Sequence, residues 1–261
     1  AFNGEDRDYK MTHDKLITEK DQYESYYRFP VSRAPCITGE KSVSYLYREW
    51  CDRVISNIHR LHPLGRKLKI IMILRQPADR MYSQYLFNTR VNERLTFIQA
   101  IKSWVSRKER NWVPAYDYIG AGFYAVPVRS FLDHFDDVKI FLFEDLRDHP
   151  DLLLEELYHF LGVESGFRPE SLGTAYNFSG LPNRNLFGRI YGQKWIRRSF
   201  RPLRRTFPNG RLNELLAPWL RRVLEKPELD RDLRQEITGW YRDDIKELES
   251  ITGRDLSHWI R

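Results

Sequence analysis

Apolar positions along this chain follow two rhythms. One is the unbroken run Ile70–Ile71–Met72–Ile73–Leu74, bounded by basic residues, and a similar run spans Val138 to Phe143. Short apolar runs of this kind predict strands buried on both faces, as parallel strands are. The other rhythm is helical. Tyr45, Leu46, Trp50, Val54, Ile58 and Leu61 recur at helical spacing, as do Leu153, Leu154, Leu157, Phe160 and Leu161. Leu233, Ile237, Tyr241, Ile245 and Leu248 do the same in a stretch predicted as one helix over about 231–251.

Helix signals frame these stripes. Pro77 suits a first helical turn and predicts a helix through about Arg90, and Pro150 opens another that Gly162 closes. Further helices are expected over 95–107 and 123–135, and near Asp21–Phe29 before Pro30. Ile37–Thr38 reads as a short strand running into the loop Gly39–Glu40–Lys41–Ser42. Strands alternating with helices predict the α/β class, with a mainly parallel central sheet flanked by helices. No repeat or low-complexity tract divides residues 1–261, which read as a single domain.

Composition adds three constraints. With 261 residues, 41% hydrophobic and 14% aromatic, the chain has enough apolar surface for a core without disulfide or metal staples. The longest purely apolar run is far short of a bilayer span, which excludes a transmembrane helix in this sequence. Forty-three Lys and Arg against 36 Asp and Glu give a net charge of +7, which points to an anionic partner: a nucleotide, a polyanion or a membrane face. The charge is uneven, for Ser171 to Asn213 holds nine Lys or Arg and no acid, all nine in the basic segment 184–211. Cys36 and Cys51 make no disulfide framework, and no Cys/His spacing suggests zinc or another metal. Residue 1 is Ala, so the sequence reads as an internal piece.

Three segments carry candidate chemistry. In Leu68 to Tyr85 a strand ends at Arg75 and a helix opens at Pro77, and the carboxyl end of a parallel strand beside a helix N-terminus is where α/β proteins hold phosphates. Arg75 supplies a guanidinium fork for phosphate oxygens, and Ser83 a hydroxyl further along the helix. The plain alternative has Arg75 ending a strand and Ser83 as a small helix residue. Lys41 stands before a helix start and is either an anion ligand or a solvated loop lysine. Glu144 and Asp145 follow the second strand and are read as local caps rather than as catalytic acids. Phe143 is either core or a wall for a planar base.

In this order, GEKSVSYL from Gly39, ILRQPADRMYSQY from Ile73 and GFYAVPVRSFLDHFDDVKIFLFEDLRDHPDLLLEELYHFLGV from Gly122 resemble the sulfotransferase domain family, in its bacterial and heparan-sulfate-type branch. The resemblance runs over nearly the whole chain. It implies a P-loop-NTPase-like three-layer α/β fold and transfer of a sulfuryl group from 3′-phosphoadenosine 5′-phosphosulfate (PAPS), leaving the bisphosphate PAP. It implies that Arg75 and Ser83 hold the 3′-phosphate, that Lys41 lies near the transferred sulfonate, and that Phe143 takes the place of an adenine-stacking aromatic. Asn177 to Arg184 resembles the loop that closes over the nucleotide, giving Ser179, Gly180 and Arg184 as further donor ligands. Asn177–Phe178–Ser179 is also a glycosylation sequon, discounted in a nucleotide loop.

The resemblance has one gap. The family opens with a strand, a Gly/Lys/Thr-rich loop cradling the 5′-phosphosulfate, and a glutamate base, and none of these is found from Ala1 onward. The expectation is a domain without its first strand–loop–helix, with the general base upstream of Ala1. The leading reading is a PAPS-dependent sulfotransferase acting on a hydroxyl or amine of a carbohydrate or small molecule, without a metal. The alternative is an inactive relative that binds PAPS, PAP or an anionic glycan. A kinase lacks its Walker-type loop and magnesium carboxylate here, and the basic segment shows no nucleic-acid-binding motif. A cytoplasmic location is expected, or the Golgi lumen if an upstream segment carries an anchor.

Overall fold

The structure, a computed structural model, describes residues 37–62, 64–91, 93–110, 112–170, 172, 181–182, 224–225 and 227–261. In chain order the elements are α1 (Cys51–Leu61), β1 (Ile70–Leu74), α2 (Pro77–Val91), α3 (Phe97–Lys102), α4 (Trp104–Glu109), α5 (Ala125–His134), β2 (Val138–Leu142), α6 (Phe143–Asp148) and α7 (Pro150–Leu161). They continue with β3 (Leu181–Pro182), β4 (Leu224–Glu225), α8 (Arg231–Trp240), α9 (Arg242–Thr252) and α10 (Ser257–Ile260). The class is α/β, and β1 and β2 pair in a parallel sheet. The chain divides into two compact units, one of residues 1–71, 98–139 and 241–261, the other of 72–97 and 140–240.

In the first unit α5 packs against both α1 and α9. Its core holds Ile55 and Cys51 from α1, Val128 and Phe131 from α5, and Ile245 and Leu248 from α9, all buried. Asp244 ties α9 to the start of α5, accepting the Tyr124 N–H at 2.8 Å and the Ala125 N–H at 3.2 Å. Those amides have no intrahelical acceptor, so a carboxylate there meets both a hydrogen-bond need and the positive end of the helix. Tyr241 is fully buried, and its hydroxyl donates to the Ile119 carbonyl at 2.8 Å.

In the second unit α2 packs against α8, and α6 against α7. Met72 and Leu74 of β1, Ala78, Met81 and Leu86 of α2, Phe141 of β2 and Ile237 of α8 are buried. Leu181 and Pro182 of β3 pair antiparallel with Glu225 and Leu224 of β4. Pro150 starts α7, and Gly162 ends it with φ of 75°, a left-handed conformation that glycine adopts without the penalty of a Cβ.

Several elements differ from the sequence expectations. Ile37–Thr38 forms no strand, and the helix expected from Tyr45 begins at Cys51 after separate turns. Tyr47 is held there instead by its hydroxyl, which donates to the buried Asp117 at 2.7 Å. The 95–107 helix is two, divided at Ser103, and the C-terminal one is two, divided at Tyr241. β1 is buried on one face only: Ile71 and Ile73 are 40% and 48% exposed, while Met72 and Leu74 are buried. No helix among the described residues is long and apolar enough to cross a membrane. The expected helix at 21–29, the residues Ser179, Gly180 and Arg184, and the basic segment 184–211 lie outside the described residues.

Candidate functional site

β1 ends at Leu74 and α2 begins at Pro77, so Arg75 and Gln76 make the whole connection. β2 ends at Leu142, and Phe143 is already the first residue of α6. Because β1 and β2 pair and run the same way, Arg75 and Phe143 leave the sheet at the same end. The Arg75 guanidinium carbon lies 4.6 Å from the centroid of the Phe143 ring. At that distance the electron-rich ring face attracts the cation, an effect of about 0.5–2 kcal/mol depending on desolvation. Both side chains are half-buried, so the pair forms a wall open to solvent, not part of the core.

Sequence reasoning singled out the amides at the start of α2 as anion ligands, and the structure restricts that role. The Gln76 side-chain oxygen accepts the Asp79 N–H at 2.8 Å, and the Gln76 carbonyl accepts the Arg80 N–H at 2.9 Å. Pro77 has no N–H at all. Most of the first-turn donors are thus engaged within the chain, and an anion at this corner meets chiefly the Arg75 side chain.

Other side chains complete the corner. Gln76 is only 1% exposed, and its side-chain amide donates to the Thr238 hydroxyl at 2.8 Å. The Arg234 guanidinium donates to Asp79 through Nε at 2.9 Å and Nη2 at 3.1 Å, a two-pronged charge-assisted contact. That carboxylate holds the Arg234 guanidinium above its usual range, against the opposing effect of burial. Sequence reasoning missed all four of these residues. An amide side chain just before a first-turn Pro, with an acid two residues after it, was the local signal for Gln76 and Asp79. Nothing local marks Arg234 or Thr238.

Ser83 lies in the same α2, half-buried, so Arg75, Ser83 and Phe143 belong to the second unit. Lys41 belongs to the first unit, exposed in a stretch without regular structure, near the contact in which the Tyr45 hydroxyl donates to Glu40. Asp145 accepts the Leu142 N–H at 2.8 Å, which makes it a local cap at the start of α6. Arg147 pairs with Asp148 through two contacts of 2.7 Å on the surface, where the carboxyl is held below its usual range by that guanidinium. Among the described residues no group of three or more His, Cys, Asp or Glu is placed to hold a metal ion.

A cation and an aromatic ring at the carboxyl end of paired parallel strands suit a ligand with both an anionic group and a planar base. The chain is also similar to known proteins in sequence and in structure. Residues 53–177 match the sulfotransferase domain. The chain is 24% identical over 258 residues to bifunctional heparan sulfate N-deacetylase/N-sulfotransferase 1 of Xenopus laevis, across 92% of this chain and 25% of that protein. It is 23% identical over 257 residues to the type 3 enzyme of Homo sapiens, with the same coverage of 92% and 25%. The chain thus spans about a quarter of the length of these curated relatives. In structure it is similar to a sulfotransferase from Alicyclobacillus acidocaldarius, with a TM-score of 0.66 and 25% identity, over 94% of this chain and 75% of that one. The two share a P-loop-like α/β fold.

Proposed function

Residues 53–177 place this chain in the sulfotransferase domain family, and on that premise we propose that it transfers a sulfuryl group from PAPS to an amine or hydroxyl of an anionic carbohydrate. The observation that carries the reading is the Arg75–Phe143 corner, a cation and a ring side by side where a phosphorylated nucleotide has use for both. Arg75, with Ser83, takes the 3′-phosphate, and Phe143 lies along the adenine. The family resemblance adds Ser179, Gly180 and Arg184 as further donor ligands.

The reaction is an in-line displacement at sulfur. The bond from sulfur to the donor's 5′-phosphate oxygen breaks, and its electron pair leaves with the phosphate. The acceptor nitrogen or oxygen forms the new bond to sulfur and yields its proton to a carboxylate base. Catalysis of such a step rests on alignment and on charge stabilisation, and Lys41 supplies a positive charge to the transferring sulfonate or the departing oxygen. No metal is required. For the acceptor, a net charge of +7 favours an anionic partner, and the relatives named for heparan sulfate N-sulfotransferase activity support an amino group on a polyanionic sugar chain.

Incubating the full-length protein with sulfur-labelled PAPS and a panel of polysaccharides, phenols and amines tests this reading. Label is expected on the anionic amino-polysaccharides. Binding of PAP without transfer to any acceptor would instead support the inactive relative, and absence of both would overturn the proposal.

A further inference from the structure

The corner that carries Arg75 is bonded to a helix from the far end of the chain. Gln76 and Asp79 stand on either side of Pro77, and each meets one side chain of α8: Thr238 at 2.8 Å and Arg234 at 2.9 and 3.1 Å. Arg234 and Thr238 are four residues apart and so lie on the same face of α8. The second Gln76 contact, from the Asp79 N–H at 2.8 Å, closes the set into one network. Gln76 and Thr238 are 1% and 3% exposed, so the bond between them is made out of water, where an unmade partner is costly.

The network acts on charge as well as on shape. Asp79 lies in the first turn of α2, close in sequence to the residue assigned to the phosphate. Left alone, its carboxylate opposes an incoming anion, and the Arg234 fork cancels it. We infer that Gln76, Asp79, Thr238 and Arg234 are positioning residues, through which α8 locks the Arg75–Pro77 corner and sets how strongly it holds a phosphate. The inference rests on the reading of Arg75 as the 3′-phosphate ligand.

The test is calorimetry on the full chain with adenosine 3′,5′-bisphosphate and with AMP, which lacks the 3′-phosphate. Arg234→Ala should cut the preference for the bisphosphate about 3- to 30-fold, a range set by couplings within one polar network. The double variant Asp79→Asn/Arg234→Gln leaves no orphaned charge and should recover most of that preference. Thr238→Val, which keeps the volume and deletes the hydroxyl, should lower the preference less than Arg234→Ala, and it decides the question if Arg234→Ala does not fold. A merely structural contact would change both nucleotides alike, or leave the double variant no better than the single one, and either result overturns the inference. Arg75→Ala separates the two levels. If it abolishes the preference while Arg234→Ala and Thr238→Val retain it, the positioning role falls alone. If Arg75→Ala also leaves the preference intact, the reading of Arg75 has failed and takes the inference with it.

Discussion

Arg75 and Phe143, far apart in sequence, meet with the guanidinium carbon 4.6 Å from the ring centroid. Their meeting follows from strand pairing: β1 and β2 are neighbours, and each hands over to a helix at the same end. The ring therefore has two tasks, holding the cation in place and offering a flat apolar face.

Replacing the ring separates these tasks from packing. Phe143→Leu keeps an apolar side chain but removes the π face. Loss of stacking on a base is worth about 1–3 kcal/mol, so affinity for the bisphosphate should fall by at least about fivefold. Because Phe143 is only half-buried, the melting temperature should move little. Phe143→Tyr should bind as the parent does. Calorimetry and a thermal melt on the same samples give both readings.

Lys41 is exposed and outside regular structure, so its removal leaves little to unfold. If it serves the transferring group, Lys41→Ala should lower kcat far more than it weakens bisphosphate binding, the mark of an interaction made mainly in the transition state. Steady-state rates beside a binding isotherm decide this. Unchanged turnover returns Lys41 to the role of a solvated loop lysine.

Asp244 gives the first unit a pH dependence. Burial pushes its carboxyl above the usual range, Glu247 adds to the rise, and the Tyr124 and Ala125 amides and Arg48 oppose it. The folded chain thus holds the Asp244 proton more tightly than the unfolded chain does. Stability from this group is full below the ordinary aspartate range, declines as pH rises toward the raised value, and is flat above it. Asp244→Asn still accepts an N–H and does not titrate. The difference in urea midpoint between parent and variant should therefore shift in the variant's favour across that window. A difference that is constant with pH contradicts the assignment.

The elements nearest the candidate site were the most legible in sequence. The apolar run ending at Leu74 and the Pro at 77 fixed where Arg75 stands, because local pattern and local backbone chemistry agree there. Phe143 was harder, since an apolar run does not say which of its residues leaves the strand. It opens α6, where Asp145 accepts the Leu142 N–H. The break at Tyr241 was invisible, for Leu233, Ile237, Tyr241, Ile245 and Leu248 keep one apolar stripe across both helices. At the division Tyr241 is fully buried and makes a long-range contact, its hydroxyl donating to the Ile119 carbonyl. The support of Gln76 by Thr238 was hidden for the same reason. A hydrogen bond between distant segments leaves no periodicity to read.

The central claim is that this corner recognises a 3′-phosphate through Arg75. A charge-assisted hydrogen bond is worth about 1.5–3 kcal/mol, which corresponds to roughly 10- to 150-fold in affinity. Calorimetry of the chain with adenosine 3′,5′-bisphosphate and with AMP measures that contribution directly. The account predicts a preference for the bisphosphate in this range and its loss in Arg75→Ala. Equal affinities for the two nucleotides, or a preference that survives Arg75→Ala, would contradict it.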